Sequence, residues 1–379
     1  MDDRSARNAA DGPRPPTRYE LPAVRQLTAT VFGFDQPPAD WRPTAAEARA
    51  IQRGARVIVR DGRPVSHIHL QYNHLSIYGC RAKIVSIGGV CTHPDYQGQG
   101  LATELLGHVI AETTRAGAAL MLISGARGLY RRAHAVPVGA VELAEVTGDA
   151  FANDLGVRVR RAAPEDWPAF SRLYQAESVR FVRTADFVTR ALAWRHSLRA
   201  LWTMELGGQA VAYLALGREW DLPPRAPVRG VTEYAGLRQA LVAGLPEVLA
   251  QAQLERVVIP VPRHDPELAL LLRTRNVPLR PGTIPYHTAR LLDLGRLARS
   301  LRPYLESRLA REDIRRLSLS QSGDSCIIAF GDECLKVGLS QAARLALGGQ
   351  DAPKLPGELG QATAAIFPIP LPLPGLNYT

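Results

Sequence analysis

The stretch Val90-Cys-Thr-His-Pro-Asp-Tyr-Gln-Gly-Gln-Gly-Leu-Ala102 is the most informative part of this chain, because it predicts a strand, a tight turn and a helix. An apolar run from Ile84 to Val90 leads into it, and a glycine-rich turn spans 97–100. Apolar residues then recur at intervals of three and four, at Leu101, Leu105, Leu106, Val109 and Ile110. Glycine lets the backbone approach a ligand closely, and a helix N-terminus carries partial positive charge. We therefore expect a phosphate site at this turn.

Two other phosphate-binding turns do not fit these residues. A Walker loop needs Gly-Lys followed by Ser or Thr, and no such sequence follows the turn. A dinucleotide fingerprint needs a third glycine or an alanine at position 103, where this chain has threonine.

The spelling Gln97-x-x-Gly100-x-Ala102 resembles the Gln/Arg-x-x-Gly-x-Gly/Ala turn of the GNAT N-acetyltransferases, which holds the pyrophosphate of coenzyme A. The preceding residues 90–94 resemble the strand end of that family, with Thr92 where a valine is usual. A second apolar run at 119–125 is a candidate for a buried strand, and Tyr130 follows it at the spacing typical of the family. The resemblance implies acetyl-CoA as acyl donor.

The same resemblance implies a set of residues that contact the donor. They are Val90, Cys91, Thr92, Gln97, Gly98, Gln99, Gly100, Leu101, Ala102, Thr103, Ser124 and Gly125. Tyr130 matches the tyrosine that protonates the departing sulfur, and a phenol with a pKa of about 10 is protonated at neutral pH. Tyr96 is the alternative acid, and a purely packing role for Tyr130 stays open.

No acidic residue lies on the strand before the turn, where many members of the family carry the base. The chain instead ends in an apolar tail in which prolines alternate, from Phe367 to Thr379. Such a tail favours an extended conformation, and we expect it to dock in a groove. In the enhanced intracellular survival type of this family, which the chain resembles in its domain organisation, the terminal carboxylate acts as the base, and the resemblance implies that role for the carboxylate of Thr379. The alternative is a tail that only closes a groove or an oligomer contact.

Composition limits the function classes. The chain has 379 residues, a length that suggests two or three domains. Its net charge is +10, and 46% of its residues are apolar. Its arginines are spread along the sequence, so we expect no nucleic-acid partner. No apolar run is long enough to span a membrane, no leader is visible, and the four cysteines form no Cys-x-x-Cys pair. A cytoplasmic protein with reduced cysteines and no membrane partner is expected.

A weak internal repeat organises the chain. The first copy has a predicted hairpin at Asp61-Gly62 before the glycine turn, and the second begins near Val157 with a hairpin at Gly207-Gly208. In the second copy Gly236 leads directly into Leu237-Arg-Gln-Ala-Leu-Val, without the phosphate motif. That copy lacks the nest of N–H groups that a pyrophosphate needs.

One complete copy, one degraded copy and a small third unit resemble the enhanced intracellular survival (Eis) type of acetyltransferase. The resemblance implies an α/β (α+β) fold: tandem GNAT folds with mixed central sheets flanked by helices, plus a small α+β sterol-carrier-like domain. The expected boundaries are a disordered 1–16, a catalytic GNAT domain at 17–155, a degenerate GNAT-like domain at 156–292, and the sterol-carrier-like domain with its tail at 293–379. It also implies a possible homo-oligomer.

His67 and His69 form the one spacing that could suggest a metal. No third ligand is evident, so we predict no metal site. The function that these residues favour is direct acetyl transfer to a small amine or lysine side chain. A coenzyme A-binding regulatory protein without turnover and a transferase of longer acyl chains remain alternatives.

Overall fold

The structure is a computed structural model that describes residues 11–38, 40–184, 187, 201–220, 227–285, 287–349 and 351–378. Thr379, the residue assigned as base, lies outside the described residues. The described strands form three sheets that are flanked by helices. No helix in these ranges combines the length and apolar character that crossing a membrane requires.

The strands are numbered in chain order. They are β1 (Asp11–Arg14), β2 (Ala55–Arg60), β3 (Arg63–Ile77), β4 (Cys80–Thr92), β5 (Leu120–Ser124), β6 (Val136–Pro137), β7 (Ala140–Thr147), β8 (Arg158–Arg161), β9 (Val179–Phe181), β10 (Leu201–Leu206), β11 (Gln209–Trp220), β12 (Val228–Gly236), β13 (Arg256–Pro262), β14 (Leu279–Thr283), β15 (His287–Leu291), β16 (Leu317–Ser322), β17 (Ser325–Phe330) and β18 (Glu333–Gly338).

The α-helices are numbered in the same way. They are α1 (Leu21–Phe32), α2 (Ala45–Gly54), α3 (Leu101–Arg115), α4 (Gly128–Arg132), α5 (Trp167–Ala176), α6 (Arg238–Ala252), α7 (Pro266–Thr274), α8 (Leu294–Ser300), α9 (Arg302–Glu306), α10 (Arg311–Arg316), α11 (Leu339–Leu347) and α12 (Gly357–Ile366). Single 3-10 turns lie at Arg18–Glu20, Pro94–Tyr96, Pro164–Asp166 and Gly375–Tyr378.

The first sheet has the order β1-β2-β3-β4-β5-β15-β6, with β9 paired to the far end of β3. Only β4 and β5 run parallel within it, joined by the crossover helix α3. The expected hairpin at Asp61-Gly62 is confirmed as the turn between β2 and β3. Disorder over 1–16 is wrong at Asp11–Arg14, because these residues pair with β2 and the Arg14 guanidinium contacts the carboxylates of Asp11 and Glu20.

The second sheet has the order β14-β7-β13-β12-β11-β10-β8. Its β12 and β13 are again parallel and joined by a helix, α6. The expected hairpin at Gly207-Gly208 is confirmed between β10 and β11. The second copy therefore repeats the strand, helix, strand unit of the first.

The two large sheets exchange strands. β7 lies within 17–155, the expected first unit, but pairs with β13 and β14 of the second sheet. β15 lies within 156–292, the expected second unit, but inserts between β5 and β6 of the first sheet. Membership of a sheet therefore does not follow the boundaries at 155 and 292 that the sequence suggested.

The third sheet is an antiparallel meander of β16, β17 and β18. Its helices pack into a core that continues into the first sheet: Leu122, Ala289, Leu297, Ile328 and Ile366 belong to one buried cluster. The C-terminal tail then leaves this unit, with Ile369, Leu371 and Leu376 buried. The expected docking of the tail is observed for its described residues.

Candidate functional site

β4 and β5 separate at one end and leave an opening between them. Their parallel pairing runs from Ile84 opposite Leu120 to Ile87 opposite Ile123 and ends there, whereas β4 continues to Thr92. A Cβ at Gly88 would lie 3.8 Å from Ser124 Oγ, so this serine faces the start of the opening. The predicted donor residues of the two strands, 90–92 on β4 and Ser124 on β5, thus lie beyond the last paired residues at the same end of the pair.

A bulge in β4 shapes this opening. The register between β3 and β4 shifts by one residue between His67 and His69, opposite Gly89, whose φ is +57°. The His67 ring lies beneath the bulge, and its Nδ1 donates to the Gly89 carbonyl oxygen at 2.9 Å, because a carbonyl can only accept. Burial lowers the pKa of His67 to about 4, so the ring is neutral. Sequence reasoning missed this role, although glycine after glycine at Gly88-Gly89 within a strand is a signal for a bulge.

The glycine turn lies at the open end of β4. Gly98 and Gly100 have φ values of +79° and +80°, and no other atom would lie within 4 Å of a Cβ at either residue. The backbone from Gln97 to Gly100 is exposed, and α3 begins at Leu101. The Gln97 N–H donates to the Pro94 carbonyl and the Thr103 N–H to the Gly100 carbonyl, so the N–H groups between them, from Gly98 to Ala102, are the donors that this turn can offer to a ligand. It fits a phosphate cradle.

The side chains around the turn brace it. Gln97 Nε2 donates to the Thr92 carbonyl at 3.1 Å, which ties the turn to the end of β4. The Leu101 side chain is buried beneath α3, whereas Gln99 and Thr103 are exposed and Ala102 is half-buried. Leu101 and the glycines can therefore serve a ligand only through their main chain.

Tyr130 lies on α4, just after β5. Its side chain is 7% exposed, and a Cβ at Gly125 would lie 3.3 Å from its ring. Burial raises the pKa of the phenol, a nearby Arg127 lowers it, and the Cys91 thiol raises it. Tyr130 thus lies close to Cys91 on β4, and its phenol stays protonated at neutral pH.

Cys91 is the second buried polar group of this site. Its side chain is 4% exposed, and burial raises the pKa of the thiol to about 12. The backbone beside it is held by Ser66, whose hydroxyl lies 3.3 Å from the Cys91 carbonyl and 3.0 Å from the Thr92 hydroxyl.

The other candidates have different neighbours. The His69 ring is stacked on Gly54 at the end of α2, 2.6 Å from a Cβ built there, while His67 is buried at the bulge. His93 lies beside Asp95 and packs edge-on against Tyr96. The Tyr96 hydroxyl faces Asp61 at 3.4 Å, away from the strand opening. Within the described residues, no group of three metal-ligating side chains occurs.

Comparison with known proteins agrees with this geometry. Residues 13–134 match the model of the acetyltransferase (GNAT) domain. No curated protein sequence matches the chain.

Solved structures are similar to this chain in fold over most of its length. It is similar to Eis1 from Mycobacterium abscessus, at 13% identity over 93% of this chain and 96% of that one, with a TM-score of 0.60. A GCN5-related N-acetyltransferase from Kribbella flavida is 16% identical over 96% and 98% of the two chains, with a TM-score of 0.59. The corresponding protein from Anabaena variabilis is 14% identical over 90% of each, with a TM-score of 0.58.

The expected mixed α/β class, with mixed central sheets flanked by helices, is confirmed. Residues 13–134 form a GNAT acetyltransferase domain, and the expectation of a GNAT acyltransferase is thereby confirmed at the level of that domain.

Proposed function

We propose that the protein is an acetyl-CoA-dependent N-acetyltransferase that transfers the acetyl group to a primary amine by direct attack in a ternary complex. The observation that carries this proposal is the exposed glycine turn at the N-terminus of α3, beside the separated ends of β4 and β5. The charge of the chain favours an anionic donor as well.

The residues present fit the donor. The main chain of Gly98 to Thr103 would hold its pyrophosphate, since Gly98 and Gly100 leave open the space that a side chain would fill. Residues 90–92, Ser124 and Gly125 would line its pantetheine arm between the separated strands. When bound, the donor supplies an acetyl thioester, which an amine can attack at the carbonyl carbon.

Tyr130 is the proposed general acid. When the new C–N bond forms and the C–S bond breaks, the departing sulfur needs a proton. The raised pKa of Tyr130 keeps its proton in place until it is needed, and the ring lies beside Gly125 and Cys91 at the opening. Holding both reactants in one cleft makes the transfer effectively intramolecular.

The terminal carboxylate of Thr379 is the proposed base, which takes the proton that the attacking amine must lose. The support is the anchored tail: the Leu376 N–H donates to a buried carboxylate of Glu233 at 2.9 Å, and the Asn377 side chain accepts from Arg183 at 3.0 Å. Because the tail is anchored at Asn377, two residues before its end, little further conformational entropy is lost when the terminal carboxylate takes up one position.

The finer assignments belong to the same proposal. We place a sterol-carrier-like domain at 293–379, supported by the small sheet of β16 to β18 and the fold similarity over nearly the whole chain. The catalytic and degenerate units are assigned to 17–155 and 156–292, apart from the exchanged strands. Four free cysteines, three of them buried, favour a reducing, cytoplasmic location.

A thiol-release assay tests the proposal. The full chain is combined with acetyl-CoA or longer acyl-CoA donors and a panel of amines. We expect Tyr130→Phe to lower kcat by about 10²-fold or more, the usual contribution of a general acid. A chain lacking Thr379 should lose a comparable factor, and both variants should bind coenzyme A as the parent does.

Tyr96→Phe is the matched control, because Tyr96 is the other aromatic hydroxyl near the turn and faces Asp61. It should keep its rate. If no amine in the panel causes thiol release, the remaining interpretation is a regulatory protein that binds the donor without turnover. If longer acyl-CoA donors react faster than acetyl-CoA, the protein is a transferase of longer acyl chains. Unchanged rates in both catalytic variants would remove the acid and the base.

A further inference from the structure

The second unit contains the counterpart of the coenzyme opening. β12 and β13 are parallel with Arg229 opposite Val257 and Gly230 opposite Val258, and their pairing ends there although β12 continues to Gly236. The register between β11 and β12 also shifts by one residue, between Ala215 and Leu216. Separated parallel strands and a bulge thus recur, as in β4 and β5.

Aligning the last paired residues places Glu233 at the position of Val90. In the first unit Val90 is three residues beyond the last pair with β5, and Glu233 is three residues beyond the last pair with β13. Val90 is apolar and would offer its backbone to a ligand. Glu233 instead has a carboxylate there, 1% exposed.

The phosphate position of the second unit is filled by the protein itself. Glu177 accepts from the Gly236 N–H at 3.0 Å and from both terminal nitrogens of Arg238, at 2.9 and 2.6 Å. Arg238 is the first residue of α6, so this carboxylate lies where the helix N-terminus favours an anion. An internal anion therefore stands where the first unit offers an open turn.

The strand opening of the second unit is reduced to a small cavity. The Tyr234 hydroxyl bridges from β12 to the Pro260 carbonyl on β13 at 3.3 Å. Pro372 and Leu373 of the tail line this cavity together with Glu233, Tyr234 and Pro262, and Leu373 packs against the buried cluster that contains Tyr234 and Val261. The tail thus crosses the ends of both strands, at the place that corresponds to the donor arm.

The end of the tail is anchored there by charge. Glu233 accepts from the Leu376 N–H, from the Tyr213 hydroxyl at 2.7 Å and from Arg183 at 2.8 Å. Arg183 also donates through Nε to the Asn377 side chain. Opposite charge and these donors hold the pKa of Glu233 below its usual value despite burial, so the carboxylate is ionised.

Gly375 shows how close the fit is. Its φ is +49°, and a Cβ there would lie 1.9 Å from Glu233 Oε2. A side chain at this position would displace the carboxylate that receives the tail. Only glycine fits here.

We infer that the second unit has become a binding module for the chain's own residues 372–377, held at the position that corresponds to the coenzyme of the first unit, with Glu233 as a positioning residue for the C-terminus. The positioning part rests on the proposed function of the terminal carboxylate. The binding part stands on these contacts alone.

Full-length variants with changes in the tail test the inference. Asn377→Ala removes the tail's acceptor for Arg183, which keeps Glu233 as its other acceptor, and Gly375→Ala adds the methyl group that meets Glu233. Asn377→Asp keeps an acceptor oxygen for Arg183. Gly323→Ala is matched to Gly375→Ala, because Gly323 has a φ of +56° but open space at its Cβ.

The exchange rates of the tail amides report whether the tail is bound, and kcat reports whether its terminal carboxylate is correctly placed. We expect the amides of Leu373 and of residues 375–378 to exchange faster in Asn377→Ala and Gly375→Ala, and not in Asn377→Asp or Gly323→Ala. In the two loosened variants kcat should fall about 10-fold or more, with KM for acetyl-CoA unchanged, as for removal of a proton acceptor.

Unchanged tail exchange in both disruptive variants would overturn the inference. Faster exchange with an unchanged kcat would overturn the positioning role of Glu233. If the chain lacking Thr379 keeps full activity, the base assignment fails on its own, and tail exchange still decides whether the second unit binds the tail.

Discussion

Cys91 and Tyr130 lie side by side at the donor opening, and their environments prepare them for different roles. Burial raises the pKa of the Cys91 thiol to about 12, so the thiolate that could attack a thioester is absent at neutral pH. Burial raises the pKa of Tyr130 as well, which suits a group that must hold a proton. The site therefore favours direct transfer to the amine over an acetyl-cysteine.

We predict that Cys91→Ala changes kcat less than about threefold, since a buried thiol supplies only packing to the site. Incubation with acetyl-CoA without an amine should leave no acetyl adduct on Cys91, as read by mass spectrometry. Cys334 is exposed and serves as the internal control for thiol reactivity, because an alkylating agent should label it before Cys91. An acetylated Cys91 and an inactive Cys91→Ala would establish a two-step mechanism instead.

At the scale of elements, the bulge of β4 and the turn after it work together. The bulge lies directly before Val90 and Cys91 at the end of β4, and the turn ends at the N-terminus of α3. His67 supports the bulge through the hydrogen bond from its Nδ1 to the Gly89 carbonyl. Because that ring is neutral and buried in the folded chain, its protonation favours the unfolded chain.

This opposition gives a pH dependence with a definite sign. The pKa of His67 is about 4 in the folded chain and about 6.5 when exposed. As the pH falls below 6.5, His67 is protonated in the unfolded chain before it is protonated in the folded chain. The contribution of the neutral His67 to the free energy of unfolding is therefore complete above pH 6.5 and is lost progressively between pH 6.5 and pH 4. For this group the loss between pH 7 and pH 5 is about 2 kcal/mol.

His67→Asn keeps an amide donor near the position of Nδ1 but cannot titrate. We expect urea unfolding to show about 2 kcal/mol less loss between pH 7 and pH 5 in this variant than in the parent. His67→Ala, which removes the donor too, should also weaken donor binding by loosening the bulge. An identical pH dependence in parent and His67→Asn would show that the ring is not held neutral.

The elements that sequence could predict are those that local pattern specifies. The glycine turn, α3 and the two hairpins follow from glycine positions and from apolar periodicity. The bulge at Gly89 was not predicted, because a one-residue register shift depends on the partner strand. The exchange of β7 and β15 was not predicted either, since a strand of suitable pattern can pair with any free edge.

At the scale of the whole molecule, the two units share an arrangement of strands and helix, but the donor position is open in the first and occupied by the protein's own residues in the second. The first has an open turn at α3 and an apolar residue, Val90, at the strand opening. The second has Glu177 at the helix terminus and Glu233 with the tail at the opening. The exchanged strands β7 and β15 join the two units. One donor per chain follows from this asymmetry.

A calorimetric titration of the full chain with acetyl-CoA and with free coenzyme A tests the central claim most directly. We predict one site per chain, weakened at least about 10-fold by Gly98→Asp, which puts a negative charge where the pyrophosphate would bind. Gly79→Asp, at another exposed glycine with positive φ and open space, is the control and should bind as the parent does. No heat with either ligand, or an affinity that Gly98→Asp leaves unchanged, would contradict the account.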